Sequence, residues 1–144
     1  MKDPSDELIG ALYTALNGNV TYDSTSIPIY TMVVSWEDRP ADQYVQLGEV
    51  KYNMNMSPKD ANISEGTVEI YVDTFFIGKN VGSKVPMNDI ANTIGGLIDQ
   101  AFTLTSFTMT LGRVEFMEEF DYELDPSGTV FRKLITYSFI IEED

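Results

Sequence analysis

Six acids crowd one stretch of the chain: Glu115, Glu118, Glu119, Asp121, Glu123 and Asp125. Carboxylates at this density have three uses. They ligate a hard cation such as Ca2+ or Mg2+, they serve as the acid and base of glycoside hydrolysis, or they stay charged on a solvated face. Asp121, Glu123 and Asp125 alternate, so an extended chain puts them on one face. A Ca2+ loop would set its acids around a glycine-containing turn, which this stretch lacks, and no aromatic platform for a sugar is expected near them. The pattern reads as a charged strand facing solvent or a lumen, with Glu118, Asp121 and Glu123 as the lumen-facing candidates.

A second candidate is Gly78-Lys79-Asn80-Val81-Gly82-Ser83-Lys84, which resembles a phosphate-binding loop in composition. Its spacing fails that chemistry. Three residues separate the glycines where four are needed. Ser83 precedes Lys84 and Val85 follows it, so no hydroxyl is placed to hold Mg2+. Pro86 removes a backbone donor from the start of the next helix. The stretch reads as a connecting loop whose Lys79, Asn80 and Lys84 are free to touch a partner. Met54 and Met56, with Lys59, sit in a second polar stretch, and alternating methionines suit an adaptable protein contact. Trp36 with Tyr22, Tyr30 and Tyr44 reads either as core or as a binding patch. Asn19, Asn55 and Asn62 head glycosylation triplets. The opening residues lack the apolar run of a signal peptide, so these are expected to be chance matches in a chain made in the cytoplasm.

Composition narrows the chemistry further. The 144 residues contain no histidine and no cysteine. The usual general base near neutral pH is missing, as are the commonest ligands for transition metals, thiolate nucleophiles and disulfides. No catalytic residue, cofactor or metal is assigned. A carboxylate- or Mg2+-dependent hydrolase is disfavoured on these grounds. With 23 acids against 9 bases the net charge is −14, which prevents binding to DNA by phosphate neutralisation. The same repulsion suits the wall of a passage through which DNA slides. Acidity also keeps a protein soluble, and that plainer reading stands beside the other. No stretch is long and apolar enough for a membrane span, so no membrane partner is expected.

The elements that must position these residues are legible in outline. Leu8, Ala11, Leu12, Ala15 and Leu16 fall on one helical face, with Asp3 and Pro4 to start the helix and Gly18 to stop it. Val20 to Asp23 is extended, and residues 27–34 read as a β-branched strand behind Pro28. A short strand follows over residues 44–51, then a long polar loop over residues 53–64. Residues 66–76 form a strand with Val68, Ile70 and Val72 on one face and Glu69, Tyr71 and Asp73 on the other. A loop over 77–85 leads to a second helix through Ile90, Ala91, Ile94, Leu97, Ile98 and Ala101. Gly95 and Gly96 inside it suggest a close neighbour. Two strands over 107–124 and 129–141 form an antiparallel hairpin about the turn Asp125-Pro126-Ser127-Gly128, with Gly112 marking a bulge or bend. The order predicts one α+β domain over residues 1–144: two helices on a mainly antiparallel sheet, closed by a C-terminal β-hairpin.

The helix over 8–16 is followed at once by Val20-Thr21-Tyr22-Asp23. Then come Tyr44-Val45-Gln46-Leu47-Gly48-Glu49, the strand Val68-Glu69-Ile70-Tyr71-Val72-Asp73-Thr74 before the helix around 90–101, and the closing hairpin through 132–141. In this order, which covers nearly the whole chain, the sequence resembles the tail terminator (tail completion) proteins of tailed bacteriophages and their relatives at the head–tail junction. The resemblance implies a mixed sheet flanked by helices and a structural, non-enzymatic role. The chain would form a homo-oligomeric ring, six- or twelve-fold, in the neck or tail of a virion. It would meet neighbouring connector, stopper and tail proteins and pass DNA without sequence-specific binding. The rivals are another virion connector or baseplate component, and a small cytosolic ligand-binding module.

Overall fold

The structure, a computed structural model, describes residues 2–39, 41–54, 63–78, 82–124 and 128–144. Helix α1 spans Ser5–Leu16. Its first turn is held by Asp3, whose Oδ1 accepts from the Ser5 amide at 2.9 Å and the Ser5 hydroxyl at 2.6 Å. Pro4 occupies the cap position, one residue earlier than its expected place at the first helical position. Gly18, at φ 79°, ends the helix in the left-handed region that a glycine enters without strain. A small hairpin follows, β1 (Thr21–Tyr22) and β2 (Thr25–Ser26), joined by Asp23 and Ser24 at φ 50° and 65°. Two consecutive positive φ angles make the tight turn that matches strand twist, and Asp is among the side chains that tolerate it.

The main sheet has five strands in the order β3-β4-β5-β7-β6: β3 (Ile29–Tyr30), β4 (Gln43–Met54), β5 (Ile63–Ile77), β6 (Phe107–Leu124) and β7 (Gly128–Glu143). Among the described residues only β3 and β4 run parallel; the other pairings are antiparallel. Helix α2 (Val85–Ile98) connects β5 to β6. The fold is α+β with a mixed, mainly antiparallel sheet and a C-terminal hairpin. Both helices lie on one face, α2 against β5 and β7 and α1 beside α2 over β3 and β4. That face carries the main core: Leu8, Leu12 and Leu16 from α1, Ile90, Ile94 and Ile98 from α2, and Val68, Ile70, Ile135, Tyr137 and Phe139 from the sheet.

Two expected elements are redrawn. The strand over 27–34 shrinks to Ile29–Tyr30. The Val34 amide donates to the side-chain oxygen of Gln46 at 3.0 Å rather than to a neighbouring strand. Beyond Tyr30 the chain leaves the sheet and passes over its helix-free face, called here the outer face. The loop expected over 53–64 is strand at both ends, where Asn53 pairs with Glu65 and Met54 with Ser64. Cross-strand pairing there overrides the weak strand preference of the polar side chains.

Two bulges in β6, at Thr110 and Glu115, flank Gly112. A Cβ on Gly112 would collide with the Tyr137 hydroxyl and the Gln100 carbonyl, which are themselves hydrogen-bonded at 2.7 Å. In α2, a Cβ on Gly95 would lie 3.2 Å from Met117 Cε, whereas Gly96 faces open space. The expected close neighbour is thus real at Gly95 alone. Gly112→Ala is expected to lower stability by about 2 kcal/mol or more, because the overlap is partly with backbone. Gly96→Ala, on the same scale, is expected to raise it by about 0.5–1 kcal/mol through helix propensity. Denaturant midpoints of the two variants check both signs.

Candidate functional site

The outer face owes its character to a polar group buried where a strand pattern would place a solvated one. Asp73 alternates with Glu69 and Tyr71 away from the core, yet it is fully buried. The register sets Asp73 of β5 beside Arg132 of β7 and Tyr44 of β4. Arg132 grips the carboxylate with both arms, Nε to Oδ1 at 2.6 Å and an Nη to Oδ2 at 2.9 Å. Gln46 donates to Oδ2 at 2.8 Å. Burial works against the charge on Arg132, but the hydrogen bonds and charge of Asp73 outweigh it and raise its pKa above the ordinary arginine value.

Residues 31–39 cover this pair like a strap. Gln46 ties the strap to the sheet by accepting from the Val34 amide while donating to Asp73. Trp36 packs 5.3 Å from Tyr122 of β6, and the Arg132 guanidinium lies 5.4 Å from the Trp36 ring and 4.7 Å from the Tyr71 ring. Arg39 sits 3.3 Å over the Phe75 ring and donates to the Trp36 carbonyl. Trp36, Tyr22, Tyr30 and Tyr44 do not gather as one binding patch, and the core reading holds for Tyr44, which is fully buried. Tyr44 pairs with Tyr30 at 6.1 Å, Tyr22 packs against the main core, and Trp36 takes Tyr122 instead. Sequence spacing groups neighbours in the chain, and the strap carries Trp36 across the sheet to β6.

From Tyr122 an aromatic row continues along the outer face of β6. Phe120 stacks at 6.5 Å from Tyr122, and Phe116 and Phe120 are 46% and 37% exposed. Glu118 shares this face, opposite Leu134 of β7. Asp121 and Glu123 lie on the other face of the strand with Met117 and Glu119. The expected set of lumen-facing acids is therefore divided: Asp121 and Glu123 share a face and Glu118 does not. All three are exposed. Glu119 differs from them, because its hydrogen bond to Lys133 at 2.8 Å and the Lys84 ammonium at 3.4 Å hold its pKa below the usual carboxylate value. Lys84, expected as a free contact residue, is thus engaged in that ion pair. Met54 closes β4, while Met56, Lys59, Lys79, Asn80 and Asp125 lie outside the described residues. Among the described residues no three carboxylates converge as a cation site requires.

The outer face and its border bring together aromatic rings, an open strand edge and exposed carboxylates. No family model matches the chain, and no curated protein sequence matches it. A solved structure does. The chain shares its fold with a chain in the virion of a native gene transfer agent particle. The superposition has a TM-score of 0.66 and 12% sequence identity, and it covers 99% of each chain.

Two side chains test the outer-face packing. The Tyr44 hydroxyl is buried with no hydrogen-bond partner among the described residues. Burial first, then the charge of Asp73, raises its pKa. Burial and the Glu69 carboxylate push Tyr71 up to about 12. A raised tyrosine pKa means the unfolded chain loses its proton first. Stability is therefore expected to hold to about pH 10 and to fall as pH rises through 12. Tyr44→Phe should reduce that alkaline loss and be neutral or slightly stabilising at pH 7, because it deletes an unpaired buried hydroxyl. Asp73→Ala, which strands Arg132, is expected to cost about 3–5 kcal/mol. Denaturation across pH measures all three.

Proposed function

We propose that the chain is a structural subunit of a virion, assembling as a ring at the head–tail junction in the manner of a tail terminator or neck connector, with DNA passing through its centre. The observation that carries this reading is the end-to-end fold match, 99% of both chains, to a component of a gene transfer agent virion. The order of sequence elements, which resembles tail terminator proteins, supports the same reading independently. Its partners are copies of itself and the adjacent connector, stopper and tail proteins.

Physical features agree with the role. Heterologous contacts between identical subunits close into a ring when the rotation fits. A net charge of −14 per subunit, multiplied by copy number, keeps phosphates moving instead of holding them by counterion release. Asp121 and Glu123 together, or Glu118 on the opposite face, are the acids to line such a passage. The same charge sets subunits against one another, so moderate salt favours assembly by screening over about 8–10 Å.

Light scattering of the purified protein with rising concentration and salt is expected to show a closed oligomer of fixed mass, visible as rings by electron microscopy. A chain that stays monomeric both alone and in extracts containing assembled particles removes the ring reading. Replacing Lys79 and Asn80 with Ser is expected to leave the denaturation midpoint unchanged and to reduce attachment of heads to tails. Counting joined particles against free heads checks it.

A further inference from the structure

Strand β6 is guarded along its first half and open along its second. Near its start, Thr103 bridges to Thr108 on the free side. Asp99 Oδ1 accepts from the Val114 amide at 3.0 Å. The bulges at Thr110 and Glu115 break the regular edge between them. From Phe116 to Leu124 the strand is free of bulges, pairs only with β7 among the described residues, and has no partner on its outer edge. Half of its backbone donors and acceptors along this run point away from the protein.

The two faces of this open run differ in composition. On the outer face stand Phe116, Phe120 and Tyr122, an exposed aromatic row interrupted by Glu118; on the other stand Met117, Glu119, Asp121 and Glu123. Neither Asp121 nor Glu123 has an ion-pair partner among the described residues. We propose that residues 116–124 accept an added strand from another protein, an extended segment in which apolar side chains alternate with Lys or Arg. Its backbone would complete the β6 hydrogen-bond ladder. Its apolar side chains would lie beside Phe116 and Phe120, and its bases beside Asp121 and Glu123.

A second copy of this chain does not fit the requirement. It has 9 Lys and Arg in all, and nowhere do two of them stand two residues apart, as one face of a strand demands. Five of them, Arg39, Lys51, Lys84, Arg132 and Lys133, are already in ion pairs. The added strand therefore comes from a more basic chain. The proposal concerns the isolated protein and does not depend on ring formation, so the two stand or fall separately.

The test uses the full chain and a capped nonapeptide alternating Lys and Val. Hydrogen exchange at amides within 116–124 is expected to slow by at least about tenfold at saturating peptide. The same peptide N-methylated at alternate residues keeps its charge but cannot form the ladder, and it is expected to give no such protection. The double variant Asp121→Lys, Glu123→Lys, at exposed positions, should bind the Lys peptide about tenfold more weakly and accept a Glu–Val peptide instead. Equal binding of the N-methylated peptide would reduce the contact to simple charge attraction and overturn the proposal. So would protection confined to β4, or no protection at all.

Discussion

A carboxylate buried in the middle of a sheet has to be answered, and Asp73 is answered from three strands. Arg132 comes from β7, Gln46 from β4, and Gln46 in turn holds the strap through the Val34 amide. This group makes the outer face a second layer rather than a wet surface. Without it the strap would have few reasons to lie where it does, and Trp36 would not reach Tyr122. A pair of this kind contributes little net stability against an apolar substitute, since desolvation offsets most of the attraction. Its effect is on arrangement: only one register of β4, β5 and β7 brings the three side chains together.

The main core and the outer face divide the two helices from the interaction chemistry. Apart from exposed Val85, the large aliphatic residues of α1 and α2 are spent on one side of the sheet. The other side carries the guanidinium contacts and a second group of aromatic rings, with exposed Met32 at 68% and Val33 at 90% on the strap. Isolated exposed apolar residues are ordinary, whereas a row of them beside an open strand edge is less common on a monomer's surface.

Helical periodicity and strand alternation made α1, α2, β5 and the final hairpin legible, because each signal is local and each element buries one face. The outer face was not legible, because its meaning lies in register. Asp73 looks like any polar residue on a half-exposed strand until β7 is placed beside it. Trp36 looks like a neighbour of Tyr30 and Tyr44 until the strap is seen to cross the sheet. The ends of the 53–64 stretch looked like loop because Asn, Met and Ser carry weak strand preference, and only pairing reveals them. Among the acids, alternation correctly joined Asp121 to Glu123. Grouping Glu118 with them overlooked the same rule, since it stands an odd number of residues away and falls on the opposite face.

The two bulges of β6 act as a pair of frame shifts. Ahead of Thr110 the odd-numbered residues Phe107 and Met109 face the helices; between the bulges the even-numbered Gly112 and Val114 do; beyond Glu115 the odd-numbered Met117 does so again. Each bulge inverts the assignment of side chains to faces, and the second restores what the first inverted. Deleting the bulged residue itself, Thr110 or Glu115, would regularise the local ladder and leave every flanking side chain on its own face. A single deletion in a regular stretch of the strand would instead turn one end inside out, so the bulges are the places where β6 can change its length by one residue without exchanging its two faces.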